Sequence, residues 1–234
     1  TSLTEVAEAF EFAASNNLPT LILGGGSNLL ISDKGFEGLV IRMKIMGREK
    51  VVVNGEMRCD GVIKIGAGEN WDDIVEYTIS ERMYGLENLS LIPGTVGAAP
   101  VQNIGAYGVE IAKFIKSVEV FDTLEKKSKE LSASECGFSY RDSIFKYPEG
   151  SHYVITSVTF KLSTEPDADI RYKDLAEYYK THSSHPMSPK GVRTAVIDIR
   201  TAKLPDVKEF GTAGSFWKNP IIPAAQYTSL LKKY

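Results

Sequence analysis

Leu18-Pro-Thr-Leu-Ile-Leu-Gly-Gly-Gly-Ser-Asn-Leu-Leu-Ile-Ser32 is an apolar run broken by three adjacent glycines. Residues 18–23 are short, apolar and ended by Gly24, which predicts a buried strand. Residues 29–32 predict a second strand and residues 39–41 a third. Glycines between strands let backbone N–H groups close around a phosphate, because no Cβ stands in the way. A tight turn is the plainer alternative. The dinucleotide fingerprint fails here: Gly24 and Gly26 fit, but Leu29 stands where the third glycine belongs, and a strand follows rather than a helix. A Walker loop fails too, since no Gly-Lys-Ser/Thr follows.

Outward from this loop, residues 4–16 predict a helix with Val6, Phe10, Phe12 and Ala13 partly on one face. This first unit ends near Met46. A second region opens with strands at residues 51–53 and 62–65. Asn70 predicts the N-cap of a helix running from Trp71 to about Arg82, with Trp71, Ile74, Val75 and Thr78 at helical spacing. Residues 117–131 read as strand, charged turn, strand. Residues 154–162 alternate Val154, Thr156, Val158, Phe160 and Leu162, which predicts a half-buried antiparallel strand. Residues 175–181 and 192–200 predict helices, residues 183–190 a loop, and Pro205 a boundary. The order of elements is α+β, not a repeating βαβ array.

The 234 residues carry 27 Lys+Arg against 30 Asp+Glu, a net charge of −3. That balance argues against a general nucleic-acid surface and leaves an anionic ligand needing a local basic pocket. Cys59 and Cys136 are too few for a disulfide framework and lack metal-ligand spacing, so a reducing, cytoplasmic setting is expected. No apolar run reaches membrane length and no signal-peptide pattern opens the chain. Thr1 is not a start methionine, and a helix is already under way at residue 4. A further helix starts near Ala224 without a closing signal. The reading therefore expects a piece of a longer protein.

Residues 88–109 contain no charged side chain. Their small residues let a backbone approach a flat ligand, and Gln102 and Asn103 can read the edge of a heterocycle. A flavin suits such a wall; a buried structural loop is the alternative. Tyr140-Arg141-Asp142 offers a guanidinium fork for a carboxylate or enolate, although a salt bridge to Asp142 is the plainer reading. Gly211-Thr-Ala-Gly-Ser-Phe-Trp-Lys-Asn-Pro220 places Ser215 behind a glycine with no partner base, so it is no hydrolase nucleophile. A serine hydroxyl still serves as a proton donor beside a carbanion. His182 and His185 have no third ligand nearby, and a metal is not expected.

Together, Gly24-Gly-Gly-Ser-Asn28, Gly66-Ala-Gly-Glu-Asn-Trp71, Gly85-Leu-Glu-Asn-Leu89, Ile92-Pro-Gly94, Pro100-Val-Gln-Asn-Ile-Gly-Ala-Tyr-Gly108, Tyr140-Arg-Asp-Ser-Ile-Phe-Lys146, Lys203-Leu-Pro-Asp206 and Gly214-Ser-Phe-Trp-Lys-Asn-Pro220 resemble the UDP-N-acetylenolpyruvoylglucosamine reductase (MurB) family. The likeness runs over nearly the whole chain. It implies an α+β, vanillyl-alcohol oxidase/PCMH-type FAD-binding fold in two subdomains, residues 1–47 and 48–202, with a substrate loop near 170–190. Residues 203–234 would then begin a substrate-binding domain.

The resemblance implies non-covalent FAD, with NADPH as co-substrate and UDP-N-acetylglucosamine enolpyruvate as the molecule reduced, in peptidoglycan precursor synthesis. Cell-wall biogenesis, cell shape, division and the cell cycle follow from that role, and a monomer is expected. By position, Arg141 resembles the arginine that stabilises the enolate-like intermediate, and Ser215 the serine that protonates carbon. Leu23, Gly24, Gly25, Gly26, Ser27 and Asn28 match the pyrophosphate cradle. Ile92, Pro93, Gly94, Gly97, Ala98, Gln102, Asn103 and Ala106 match the flavin wall, and Arg200 a phosphate contact. Tyr107, Tyr140, Tyr172, Lys203, Lys218 and Asn219 match substrate-binding positions, Tyr172 in the mobile loop of the longer subgroup. The family's third catalytic group, a glutamate near its C-terminus, has no counterpart by position. A flavin oxidase on the same fold and a non-catalytic nucleotide-sugar binding module are the rival readings.

Overall fold

The computed structural model describes residues 2–51, 61–205, 209–210 and 217–233. Helix α1 (Leu3–Ser15) starts in a capping box: Ser2 Oγ accepts from the Glu5 N–H while Glu5 Oε2 accepts from the Ser2 N–H. It buries Val6 and Ala13, and Phe10 packs on Phe121 at 6.4 Å between rings. Phe12, predicted on the same face, lies 55% exposed. Strands β1 (Thr20–Leu23) and β2 (Leu39–Arg42) pair in parallel as an isolated ribbon. The expected burial of β1 is not found, because a two-stranded ribbon leaves alternate side chains without a covering layer. The strand expected at residues 29–32 does not form: no described strand lies beside it to take its backbone bonds, and Leu30 is 91% exposed.

Strands β3 (Arg48–Lys50), β4 (Val62–Gly66), β7 (Ile115–Asp122), β8 (Lys127–Ser132) and β9 (Tyr153–Lys161) form the main sheet in the order β3-β4-β9-β7-β8, every pair antiparallel. Of the strand expected at 51–53, residues 52–53 lie outside the described residues. Between β4 and β7 comes α2 (Trp71–Ser80), followed by the small hairpin β5 (Gly105–Ala106) and β6 (Val109–Glu110). Asn70 caps α2 through Oδ1 to the Asp73 N–H, and its buried residues are the four that the helical spacing picked out.

The half-buried prediction for β9 is corrected. It sits centrally between β4 and β7, and Val154, Ile155, Thr156, Ser157, Val158 and Phe160 are all buried. A central strand covered on both sides has no solvent face for its alternation to report. Trp71 is the largest fully buried side chain. It meets Phe160 edge-on at 6.2 Å and donates its indole N–H to Leu89 O.

Helices α3 (Lys173–Thr181) and α4 (Pro189–Lys203) form a second, smaller core around Leu175, Tyr179, Val192 and Val196. Ser188 caps α4, and Pro189 fills its first position, so the helix begins inside the stretch read as loop. Helix α5 (Ala224–Leu231) buries no side chain. Among the described residues, no helix is long and apolar enough to cross a membrane.

Candidate functional site

A cavity of about 440 Å³ opens between the ribbon and the main sheet. The glycine loop, residues 24–28, forms one side; Pro93, Gly94, Thr95, Gly97, Ala98 and Gln102 form the other. The two sides touch closely, leaving little room for side chains on the glycines. A Cβ on Gly25 would stand 3.3 Å from Gly94 Cα, and one on Gly24 2.7 Å from Thr95 Oγ1. Gly26 and Gly94 also hold φ of +73° and +125°. Asn28 Nδ2 donates to Gln102 Oε1 at 3.0 Å across the gap.

Thr95 Oγ1 is buried and has no hydrogen-bond partner in the protein, so a polar ligand group is the natural complement. A narrow cradle of backbone with an unsatisfied hydroxyl beside it fits a phosphorylated, flat cofactor such as FAD. Met43, Trp71, Phe145, Lys146 and Tyr153 line the cavity as well. Sequence reading did not single them out as cofactor contacts, although Trp71, Phe145 and Lys146 stand in the family motifs; Met43 and Tyr153 had no such signal.

Leu23 and Ile92 flank the lining rather than join it, and Ala106 lies on the β5–β6 hairpin. Asn103 turns inward. Its Nδ2 donates to Glu110 Oε2 and Ser139 O, and its Oδ1 accepts from the Ala112 N–H. Both of its amide protons are thus engaged within the protein, at 1% exposure.

Arg141 adopts φ of +54°. Its guanidinium faces the hairpin, donating to Gly105 O and, at 3.5 Å, to Asn103 O, with Glu110 Oε1 at 3.8 Å. It also stacks over Tyr140 at 5.2 Å. The local bridge to Asp142 is replaced by other partners: Tyr147 donates to Asp142 at 2.6 Å, and Lys146 and Lys218 lie at 3.6 and 3.9 Å. The Tyr147 hydrogen bond, outweighing partial burial, holds the Asp142 carboxyl below the usual carboxylate range. Lys218 also stands 5.8 Å from the Tyr140 ring, so the segment after residue 216 returns to the Arg141 turn. Asn219 is exposed, and Ser215 lies outside the described residues.

A third cluster gathers where α3 begins and α4 ends. Tyr107 and Tyr172 meet edge-on at 5.5 Å, and Lys203 pairs with Asp174 at 2.7 Å. Arg200 stands beside Tyr107 and is not part of the cavity lining; its Nε is buried without a partner. Burial pushes the Tyr107 hydroxyl up, against the opposing pull of Arg200. Asn88 fastens this cluster by donating to Tyr107 O and Asp169 O. His182 stacks on Tyr178, and His185 bonds Gly191 O, so both pack as aromatic side chains. The cavity, the Arg141 turn and the tyrosine cluster flank the chain from Asn88 to Glu110.

A protein-family model described as an FAD binding domain matches residues 1–125. The UDP-N-acetylenolpyruvoylglucosamine reductase of Ralstonia nicotianae is 42% identical over 98% of this chain and 67% of its own length. Across eight curated relatives of that description, the chain spans 60–67% of their length. A crystal structure of the corresponding reductase from Thermus caldophilus aligns with a TM-score of 0.63 at 24% identity, over 99% of this chain and 71% of that one. A VAO-type flavoprotein from Myceliophthora thermophila aligns at 0.50 and 14%, over 78% of this chain and 36% of that one. These two likenesses concern the fold, which is of the FAD-binding type the sequence motifs implied.

Proposed function

The chain belongs to the FAD-binding domain family and to the UDP-N-acetylenolpyruvoylglucosamine reductases, and from that premise we propose that it binds FAD and serves the NADPH-dependent reduction of UDP-N-acetylglucosamine enolpyruvate to UDP-N-acetylmuramate. The carrying observation is the glycine-lined cavity, with the unpartnered Thr95 hydroxyl in its wall. Residues 24–28 would hold the pyrophosphate through backbone N–H groups, and residues 92–98 with Gln102 would flank the ring. Bound FAD supplies the hydride that the enol-ether double bond accepts.

Arg141 then has a defined task. Hydride arrival makes negative charge at the neighbouring carbon, conjugated with the carboxylate. A guanidinium already held by Gly105 O and Asn103 O meets that charge without reorganising. Ser215 Oγ would give its proton to that carbon. Lys218, three residues on, rests against the Tyr140–Asp142 turn, which supports placing the serine segment near Arg141. Tyr107, Tyr140, Tyr172, Lys203 and Asn219 would bind the nucleotide sugar. Arg200, beside Tyr107, is read with this group rather than with the flavin phosphates. Residues 1–47 and 48–202 are read as the two cofactor subdomains and 203–234 as the start of the substrate domain.

FAD is read as non-covalent. The glycine loop carries no histidine or cysteine, and among the described residues His152 faces Asp122 at 3.8 Å while burial pushes the Cys136 thiol up to about 12. A cytoplasmic monomer in cell-wall precursor synthesis completes the reading.

The test is Ser215→Ala in the full-length enzyme, followed by stopped flow without oxygen. NADPH should still bleach the flavin, while reoxidation by the enolpyruvyl substrate slows by about 10²–10⁴-fold. Equal slowing of both steps would make Ser215 structural. In a separate run of the wild type with oxygen admitted, reoxidation by oxygen with no response to the substrate would favour a flavin oxidase.

A further inference from the structure

Residues 89–94 approach the cavity through an unfavourable backbone conformation. Leu91 has φ of +59°, a left-handed state that costs a residue with a Cβ about 1–2 kcal/mol. Two consecutive residues at the start of α2 hold it. Trp71 donates its indole N–H to Leu89 O at 2.8 Å and its backbone N–H to Gly94 O at 3.1 Å. Between these two ties, Asp72 Oδ1 accepts the Leu91 N–H at 2.5 Å.

Trp71 is a core residue, and its loss would damage the whole sheet. Asp72 differs, because its carboxylate is held from another part of the molecule. Arg193, on α4 and 121 positions later, donates Nη1 to Oδ1 at 2.6 Å and Nη2 to Oδ2 at 2.9 Å. The pair is largely shielded, with side-chain exposures of 12% and 24%. Glu76, one turn along α2, adds a second acid 3.7 Å from Nη2. A carboxylate in the first turn of a helix is ordinary by itself. One that also receives a bidentate guanidinium and a strained backbone N–H is doing something more specific. Ile92 follows Leu91, and the cavity lining begins at the next two residues, Pro93 and Gly94.

We propose that Arg193 and Asp72 are positioning residues for the cofactor: their ion pair holds Leu91 in its left-handed conformation and thereby sets where residues 92–98 stand against FAD. Neither side chain lines the cavity; both act through the Leu91 backbone. The inference rests on the reading that the cavity holds FAD.

The test titrates FAD into the purified chain. It records flavin fluorescence quenching, the position of the visible flavin bands and the melting temperature for each variant. Arg193→Met and Asp72→Ala should weaken FAD binding by about tenfold or more, since each leaves a shielded charge without its partner, and should shift the flavin bands. Arg193→Lys, which keeps the charge, should recover part of the affinity. Val196→Ala, in the α3–α4 core, is the control: it should lower the melting temperature and leave affinity and bands near those of the wild type. Variants of Asp72 and Arg193 that bind FAD like the wild type would overturn the proposal. So would a Val196→Ala protein that loses FAD in proportion to its melting temperature, because that would make the effect one of general stability. Failure of the wild-type chain to quench flavin fluorescence would sink the FAD reading and the proposal together, and is seen before any variant is made.

Discussion

The two sides of the cavity are built differently. The wall at residues 92–104 is fastened to the sheet and α2 along its length. Val96 donates to Glu69 O, Gly97 to Ala67 O, and Trp71 and Asp72 hold residues 89–94. Val96, Ala99 and Ile104 are in the main core. The glycine loop across from it is exposed from residue 25 to residue 28 and is tied to the wall through Asn28 and Gln102. One side is thus preformed by packing, and the other is exposed chain carried on a thin two-stranded ribbon. A rigid wall fixes the orientation of a flat ring, whereas a loop of bare backbone can close on phosphates of variable pose.

That contrast can be broken most severely at Trp71. Trp71→Ala should cost about 3–5 kcal/mol of stability, as for a large buried aromatic, and chemical denaturation should show it as a fall in midpoint. A loss below about 1 kcal/mol would mean that the wall does not depend on this residue.

Gly25→Val tests the opposite side. The added side chain would meet Gly94 backbone, which cannot swing away. Stability should fall by about 1–3 kcal/mol, as for an overpacked contact, while FAD affinity falls by about tenfold or more. Isothermal titration beside a melting curve separates the two, and a variant that binds FAD normally would show that the loop is not the cradle.

Acid should weaken the wall before it reaches the loop. Burial alone would raise the Asp72 carboxyl, but the bonds from Arg193 and Leu91 outweigh it and hold it below the ordinary value. A folded-state value below the unfolded one means stabilisation that is complete above the unfolded value of about 3.9 and is lost as pH falls through the folded one. The gap in melting temperature between wild type and Asp72→Asn should therefore hold steady above about pH 5 and narrow as pH falls below about 4. A gap that stays constant as pH falls below about 4 would contradict the pairing. Asp169, held down to about 2 chiefly by Arg171, should keep its charge further into acid.

The smallest effect is expected at Asn28. Asn28→Ala removes an exposed bond to Gln102 and should change stability by less than about 1 kcal/mol. A larger loss would mean that the loop is more firmly held than its exposure indicates.

Helix α2 shows how much was legible. Its cap, its start and its four buried positions follow from local spacing, since a helix closes its own hydrogen bonds within four residues. The glycine loop and the uncharged wall were legible for a similar reason: close backbone approach excludes side chains, and composition records the exclusion. Strand β9 was misread because alternation reports solvent on one face, and its second face is covered by elements distant in the chain. Residues 29–31 were apolar enough for a strand, but a strand also needs a neighbour. Asn103, apolar context aside, looked like a ligand reader until its amide was seen bonded to Glu110 and Ser139.

By itself, then, the amino-acid order determined the helices, the α+β class, the glycine-rich loop and the family motifs, all of which depend on neighbours a few residues apart. Tertiary structure decided which faces are buried, that Arg141 turns to the 103–110 hairpin rather than to Asp142, that Arg200 stands with Tyr107, and that Arg193 reaches Asp72 across 121 positions. Those outcomes depend on side chains that meet only after the sheet and the α3–α4 pair have packed, and single-sequence periodicity carries no record of such distant partners.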